Sequence, residues 1–299
     1  MRTLNLTLAF LFLGAVALAQ NRVNYGSLSW SKDGRQILFS SIEVLPDWSN
    51  YSPFNWRLYL YDLRQEKLEL IDRSAMFGAF SPDGSKVVYS KNTGASWDLF
   101  IKNLDTGKKT KVTDTPQRES APDWSPDGRM IVFTKDLKKG VSAIYSMDPS
   151  GRNVRNLSQN GQFECHNPEF SPDGDRIIYY MDRGDKKDQV YVMEIWSGFS
   201  RNVTQDRNHN FHPAWFDNQA LLFTRGNDQL CIKELDGGPT IPVEGIQSFF
   251  ARYNARSKQA AYISKEDQSI YVQKMKGKPG RLKLGNAARI ITPELIRGR

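Results

Sequence analysis

Cysteine and histidine are scarce in this chain of 299 residues, which has two of the first and three of the second. Two cysteines, Cys165 and Cys231, cannot build a disulfide framework, and they fall in different stretches of sequence. No cysteine stands near the N-terminal apolar run, which argues against a lipoprotein anchor. After that run no segment is long and apolar enough to suggest an integral membrane span. A Gly-x-Ser-x-Gly nucleophile elbow is missing, and with it the usual sequence mark of a serine hydrolase. No helical period, low-complexity segment or cofactor motif appears, and no nucleic-acid-binding motif accompanies the positive charge.

The N-terminus has the make-up of a secretory signal. Arg2 supplies the basic end, Leu4 to Leu18 is mostly apolar, and Ala17-Leu18-Ala19 offers small residues for cleavage before Gln20. The expectation is an exported protein, periplasmic or secreted, cut near Ala19. Removing residues 1–19 takes away only Arg2, so the formal charge falls from +8 to about +7. Cations thicken toward the C-terminus, from Lys274, Lys276 and Lys278 through Arg281 and Lys283 to Arg289, Arg297 and Arg299. They suit either a solvated set of turns or a cationic pole for anionic envelope polymers.

One hairpin recurs along the chain. Ala79-Phe80-Ser81-Pro82-Asp83-Gly84-Ser85-Lys86-Val87-Val88-Tyr89 joins an aromatic, a turn and an apolar strand that ends in another aromatic. Proline pre-sets the first central position, aspartate can bond its own backbone, and glycine takes the left-handed position. The Asp-Gly pair is therefore read as turn chemistry and not as a phosphate or cation site. Close copies begin at Ser29, Asp123 and Glu169, and worn ones at Trp215 and Tyr253. A second strand signature follows each: Leu58-Tyr59-Leu60-Tyr61, Leu99-Phe100-Ile101, Ile144-Tyr145-Ser146-Met147, Val190-Tyr191-Val192-Met193, Leu230-Cys231-Ile232 and Ile270-Tyr271-Val272. Cys231 stands where sister copies carry Phe100, Tyr145, Tyr191 and Tyr271, which predicts a small buried core residue.

Six copies of a unit of about 40 to 50 residues predict an all-β fold, a six-bladed β-propeller of four-stranded antiparallel blades. The expected organisation is a signal at 1–19, the propeller at 20–284 and a tail at 285–299 with a short helix after Thr292-Pro293-Glu294.

The run Pro-x-aromatic-Ser-Pro-Asp-Gly, an apolar strand ending in Phe or Tyr, and then Ile/Val-Tyr-x-Met-Asp resembles the TolB-like β-propeller repeat family. The resemblance covers nearly all of the mature chain. It implies the C-terminal propeller of periplasmic TolB, a partner in the Tol-Pal envelope system, without the α/β domain that precedes the propeller there.

If the Ser-Pro-Asp-Gly turns mark the bottom of the ring, the variable connections lie on top, where a rigid scaffold gathers its binding residues. The longest, Ser41 to Asn55, exceeds its sisters by roughly eight residues. It brings Trp48, Tyr51, Phe54 and Trp56, which could cover the blade edge or grip a sugar ring or peptide. Arg118, Glu119, His166, His209 and His212 are the other top-face candidates. His166 and His212 enter adjacent repeats and could meet at the channel mouth, although no ligand spacing is diagnostic of a metal. Asp182, Asp185 and Asp188 match an ordinary connection and are read as solvated. The favoured expectation is a non-catalytic scaffold that binds an envelope protein or glycan, with no cofactor and no nucleic acid. The alternative is a metal-dependent polysaccharide lyase or hydrolase using the channel-mouth histidines.

Overall fold

A computed structural model describes residues 21–159, 161–182, 187–279 and 281–298. The proposed signal segment and its cleavage site lie outside the described residues. The first sheet holds β1 (Arg22–Trp30), β2 (Gln36–Val44), β3 (Arg57–Asp62) and β4 (Lys67–Arg73). The second holds β5 (Ala75–Phe80), β6 (Lys86–Asn92), β7 (Trp97–Asn103) and β8 (Lys109–Lys111). β9 (Glu119–Trp124), β10 (Ile131–Lys138), β11 (Val141–Met147) and β12 (Arg155–Asn156) form the third. β13 (Glu164–Phe170), β14 (Arg176–Asp182), β15 (Asp188–Glu194) and β16 (Ser200–Asn202) form the fourth. The remaining sheet has seven strands: β17 (Asn210–Trp215), β18 (Ala220–Arg225), β19 (Gln229–Glu234), β20 (Ile241–Asn254), β21 (Gln259–Ser264), β22 (Ile270–Lys276) and β23 (Lys283–Ile291).

This arrangement corrects the expectation of six four-stranded blades. Four blades have four strands each, and the last stretch of chain builds one seven-stranded sheet. The reason is local. The run Ile241-Pro242-Val243-Glu244-Gly245-Ile246-Gln247 stays in one strand with Ser248-Phe249-Phe250, so the fifth and sixth repeats share it. The resulting 14-residue β20 pairs with β19 through Pro242 and Ile241 and with β21 through Phe250 to Asn254.

The repeated turn forms as its residues dictate. In the second blade Ser81 Oγ donates to Asp83 Oδ1 at 2.6 Å, Gly84 N donates to Ser81 O at 2.8 Å, and Gly84 takes φ +75°. Ser31, Ser125 and Ser171 make the same hydroxyl contact to Asp33, Asp127 and Asp173.

Beyond the turn, the second and third strands of each unit face each other in a register that stacks aromatic rings. Phe39 lies against Tyr59 at 5.5 Å between centroids, Tyr89 against Phe100 at 6.1 Å, and Phe133 against Tyr145 at 6.0 Å. Tyr179 with Tyr191 and Tyr262 with Tyr271 both stand at 5.6 Å. Between β18 and β19 the equivalent pair is Phe223 opposite Cys231, whose thiol is buried and free, with its pKa pushed up to about 11 by burial. Cys165 lies buried in inner strand β13 with its sulfur 3.7 Å from Met181 Sδ.

The apolar cores lie between sheets. Leu38, Leu58 and Ile71 of the first blade meet Phe80, Val87 and Tyr89 of the second. Val88 and Leu99 of the second meet Trp124, Ile131 and Phe133 of the third. Val87, Val88 and Tyr89 are consecutive and all fully buried, so both faces of that strand are covered.

Inner strands β1, β5, β9, β13, β17 and β20 touch in turn, and β20 returns to β1, which closes the ring. Among the described residues no strand is exchanged at the seam. Trp30 Nε1 donates to Arg252 O at 3.0 Å, and Asn254 Nδ2 donates to Ser31 O at 2.9 Å. The expected helix forms as α1 (Pro293–Arg297), capped where Thr292 Oγ1 accepts from Leu295 N, and Ile296 buries against the seam core. Asn254→Ala removes a buried donor across this seam and is expected to cost about 1–3 kcal/mol. Exposed Asn156→Ala should stay within about 0.5 kcal/mol, and urea unfolding distinguishes the two.

Candidate functional site

Three groups of residues present chemistry. The first is the long loop of the opening blade. Ser52 caps a single 3-10 turn over Pro53–Asn55, Leu45 N donates to Asn50 Oδ1 at 2.7 Å, and Arg57 Nη1 donates to Phe54 O at 2.8 Å. These bonds hold Trp48, Tyr51 and Phe54 about half exposed, at 47%, 49% and 50%. Trp48 and Tyr51 rings sit 5.9 Å apart, and Trp48 has the left-handed φ of +61°. Trp56, the fourth candidate of this loop, is buried instead. It packs with Ile42, Val44 and Met76, and its ring would lie 2.9 Å from a Cβ at Gly26, so only glycine lets β1 pass this close.

The second group surrounds the upper channel. His166 stacks on Tyr180 at 4.9 Å, and His212 meets the same tyrosine edge-on at 5.4 Å. Phe211, Phe249 and Phe250 enclose the His212 ring at 5.1, 4.8 and 4.8 Å, and Asn167 Nδ2 lies 3.3 Å from its Nδ1. Burial lowers the His212 pKa to about 3, helped by the nearby Arg252 charge, so the ring is neutral at physiological pH. His166 is lowered too, chiefly by burial.

The other candidates stand apart from that cluster. His209 pairs with Asp188 at 3.2 Å in a half-exposed connection. Glu119 is fully buried, bound by Lys135 Nζ at 3.0 Å and Thr115 Oγ1 at 2.6 Å, while Arg118 lies over the Trp97 ring at 5.7 Å. Among the described residues no ring contact or hydrogen bond joins the long loop to the histidine cluster, and no three His, Cys, Asp or Glu side chains gather to hold a metal ion. Asp185 lies outside the described residues.

A third group went unnoticed in the sequence. A central cavity of about 420 Å³ opens among Pro82, Pro126 and Pro172, on the face that carries the Ser-Pro-Asp-Gly turns. Asp123, Glu169 and Arg252 line it. Asp123 Oδ2 accepts from Phe170 N at 2.8 Å, Glu169 Oε1 accepts from Trp215 N at 3.1 Å, and Arg252 Nε pairs with Glu169 Oε2 at 3.1 Å. Each carboxylate thus pegs the next inner strand. Burial and the neighbouring Glu169 raise Asp123 to about 7; burial also raises Glu169, against the pull of Arg252. The signal was the charged residue directly before the repeat aromatic, where other copies carry Ser29, Ala79 or Ala214.

A family model described as the TolB beta propeller domain matches residues 29–181, about half of the chain. The chain belongs to the TolB β-propeller domain family. Tol-Pal system protein TolB of Francisella tularensis subsp. mediasiatica is 34% identical over 85 residues, 27% of this chain and 19% of that protein. The chain therefore spans about a fifth of the curated TolB relatives it matches. The crystal structure of TolB from Acinetobacter baumannii superposes with a TM-score of 0.65 at 19% identity, over 91% of this chain and 65% of that one. An oligogalacturonate lyase in complex with manganese superposes with a TM-score of 0.53 at 15% identity, over 85% and 89%. At such identities both solved structures establish a shared fold with TolB-type propellers and nothing further.

The two channel groups titrate in opposite senses. His212 takes up a proton more readily when unfolded, so its contribution to stability is present above about pH 6.5 and is lost as pH falls toward 3. Asp123 holds its proton more tightly when folded, so its contribution is present below about pH 3.8 and is lost as pH rises through about 7. His212→Asn, which suits the left-handed φ of +49°, should flatten the acid side of a plot of Tm against pH. Asp123→Asn should raise Tm by several degrees at pH 8 and little at pH 4. Thermal melts across pH 4–8 read both effects.

Proposed function

We propose that this chain is an exported, non-catalytic binding scaffold of the cell envelope that presents its upper loops to an envelope protein or glycan. The observation that carries the proposal is the long loop of the first blade. Three large rings, Trp48, Tyr51 and Phe54, are held half exposed by a hydrogen-bonded backbone and do not fold into the core. Aromatic rings fixed this way lose little conformational entropy on binding and suit stacking on sugar or packing on peptide. Export rests on the apolar N-terminal run, and the envelope setting on the family and on relatives named for the Tol-Pal system. No helix among the described residues is long and apolar enough to cross a membrane.

Capture from a solubilised envelope extract tests the surface. Trp48→Ala with Tyr51→Ala should retain the Tm of the parent and lose most of the captured partner. An unchanged partner profile would remove the loop from the proposal. Trp56→Ala serves as a contrast, because it should destabilise by about 3 kcal/mol through its cavity.

The competing view, a metal-dependent polysaccharide enzyme, has in its favour that His166 and His212 both rest against Tyr180. Elemental analysis separates the two views. A scaffold should purify with well under one transition metal per chain, and a stoichiometric metal lost in His166→Ala would overturn the scaffold.

A further inference from the structure

A second hollow, about 600 Å³, lies between the outer strands of the first blade and α1. Four charged residues line it: Arg57, Arg73, Arg297 and Glu43. Arg57 on β3 and Arg73 on β4 are direct cross-strand partners, a like-charge pairing that is destabilising in itself. Neither forms an ion pair among the described residues. Arg57 is instead held by carbonyls, with Nη1 donating to Phe54 O at 2.8 Å and Trp56 O at 3.0 Å, and it lines the hollow. Arg297 donates to Asn21 O at 2.7 Å and is only loosely paired with Glu294 at 3.9 Å. The lining of the hollow thus holds three arginines and one carboxylate, Glu43. Burial and then the charge of Arg73 lower the pKa of Arg57, with the Glu43 carboxylate pulling the other way.

The rim adds a second kind of chemistry. Asn50 and Asn55 of the long loop line the same hollow, and Asn50 spends its carbonyl oxygen on Leu45 N, leaving the amide N–H groups to donate. The half-exposed Trp48 and Tyr51 belong to that loop.

We propose that this hollow binds the oxyanion of an acidic saccharide. Arg57 and Arg73 hold a carboxylate or phosphate between their planar forks, and the asparagine amides meet ring hydroxyls. Trp48 and Tyr51 stand beside the path of a longer chain. The inference deepens the scaffold reading by naming a ligand class for one part of its upper surface, and its test reads small-ligand binding directly, independently of any captured partner.

Titration calorimetry of the full chain with glucuronate, glucose 6-phosphate, glucose and inorganic phosphate tests it. Saturable binding of either acidic sugar is expected, with the preferred one identifying carboxylate or phosphate as the anion, and no heat from glucose. Arg73→Gln, at an exposed position, should weaken that binding at least about tenfold with Tm unchanged. Arg57→Gln should do the same at some cost in loop order. The proposal fails if neither acidic sugar binds, or if Arg73→Gln binds as the parent does. Inorganic phosphate binding as tightly as both sugars would overturn the saccharide assignment.

Discussion

A four-stranded sheet whose central strands are apolar on both sides has to be covered on both sides, and this requirement shapes the whole molecule. Val87, Val88 and Tyr89 cannot satisfy it within one blade, so each core forms from the facing surfaces of two neighbours. A row of such sheets leaves two uncovered ends, which are removed only when the last sheet meets the first. Here that meeting is a packing contact and not a shared strand. Phe250, Ile263 and Ile270 bury with Val23, Tyr25 and Phe39, and α1 adds Ile296 to the same core. Trp30 and Asn254 then bond backbone groups across the seam. Burial of each such apolar side chain is worth about 1.5–3 kcal/mol, so the seam depends chiefly on area, with the hydrogen bonds setting its register.

The channel follows from the same ring. Each inner strand of the second to fourth blades, and β17 after them, carries a bulge with one residue at positive φ: Phe77, Ala121, Asn167 and His212. Such residues cost of order 1 kcal/mol each and persist because the packed blades on either side hold the backbone. Below the bulges Asp123 and Glu169 reach across to the next strand's amides. His212, itself a bulge residue, and His166 flank Tyr180. Burial penalises the charged form of both groups, so it raises the Asp123 acid and lowers the His212 imidazole, and the two therefore respond to pH in opposite directions.

Much of the architecture is legible in the residues themselves. The Ser-Pro-Asp-Gly turns behave as turns, the aromatic signatures of adjacent strands become stacked pairs, and Cys231 occupies a ring's place in the core. These are local or period-two properties, set by backbone sterics and by which side of a pleat a residue occupies. Trp56 shows where that legibility stops. It belongs to the same aromatic run as Trp48 and Tyr51, and only the close approach of β1 at Gly26 puts it in the core. The number of separate sheets departs from the number of repeats for a similar reason, because Ile241 to Asn254 form one continuous strand that joins the last two repeats.

By itself, then, the sequence determined the β repeat, its turn chemistry and the pairing of rings within each unit, because these depend on residues close together along the chain. Tertiary structure alone decided the seven-stranded sheet, the seam, the carboxylate pegs from Asp123 and Glu169, and the meeting of Arg57 and Arg73 beside Arg297. Those depend on which strands become neighbours. Such proximity arises from closing the ring, and no short-range pattern encodes it.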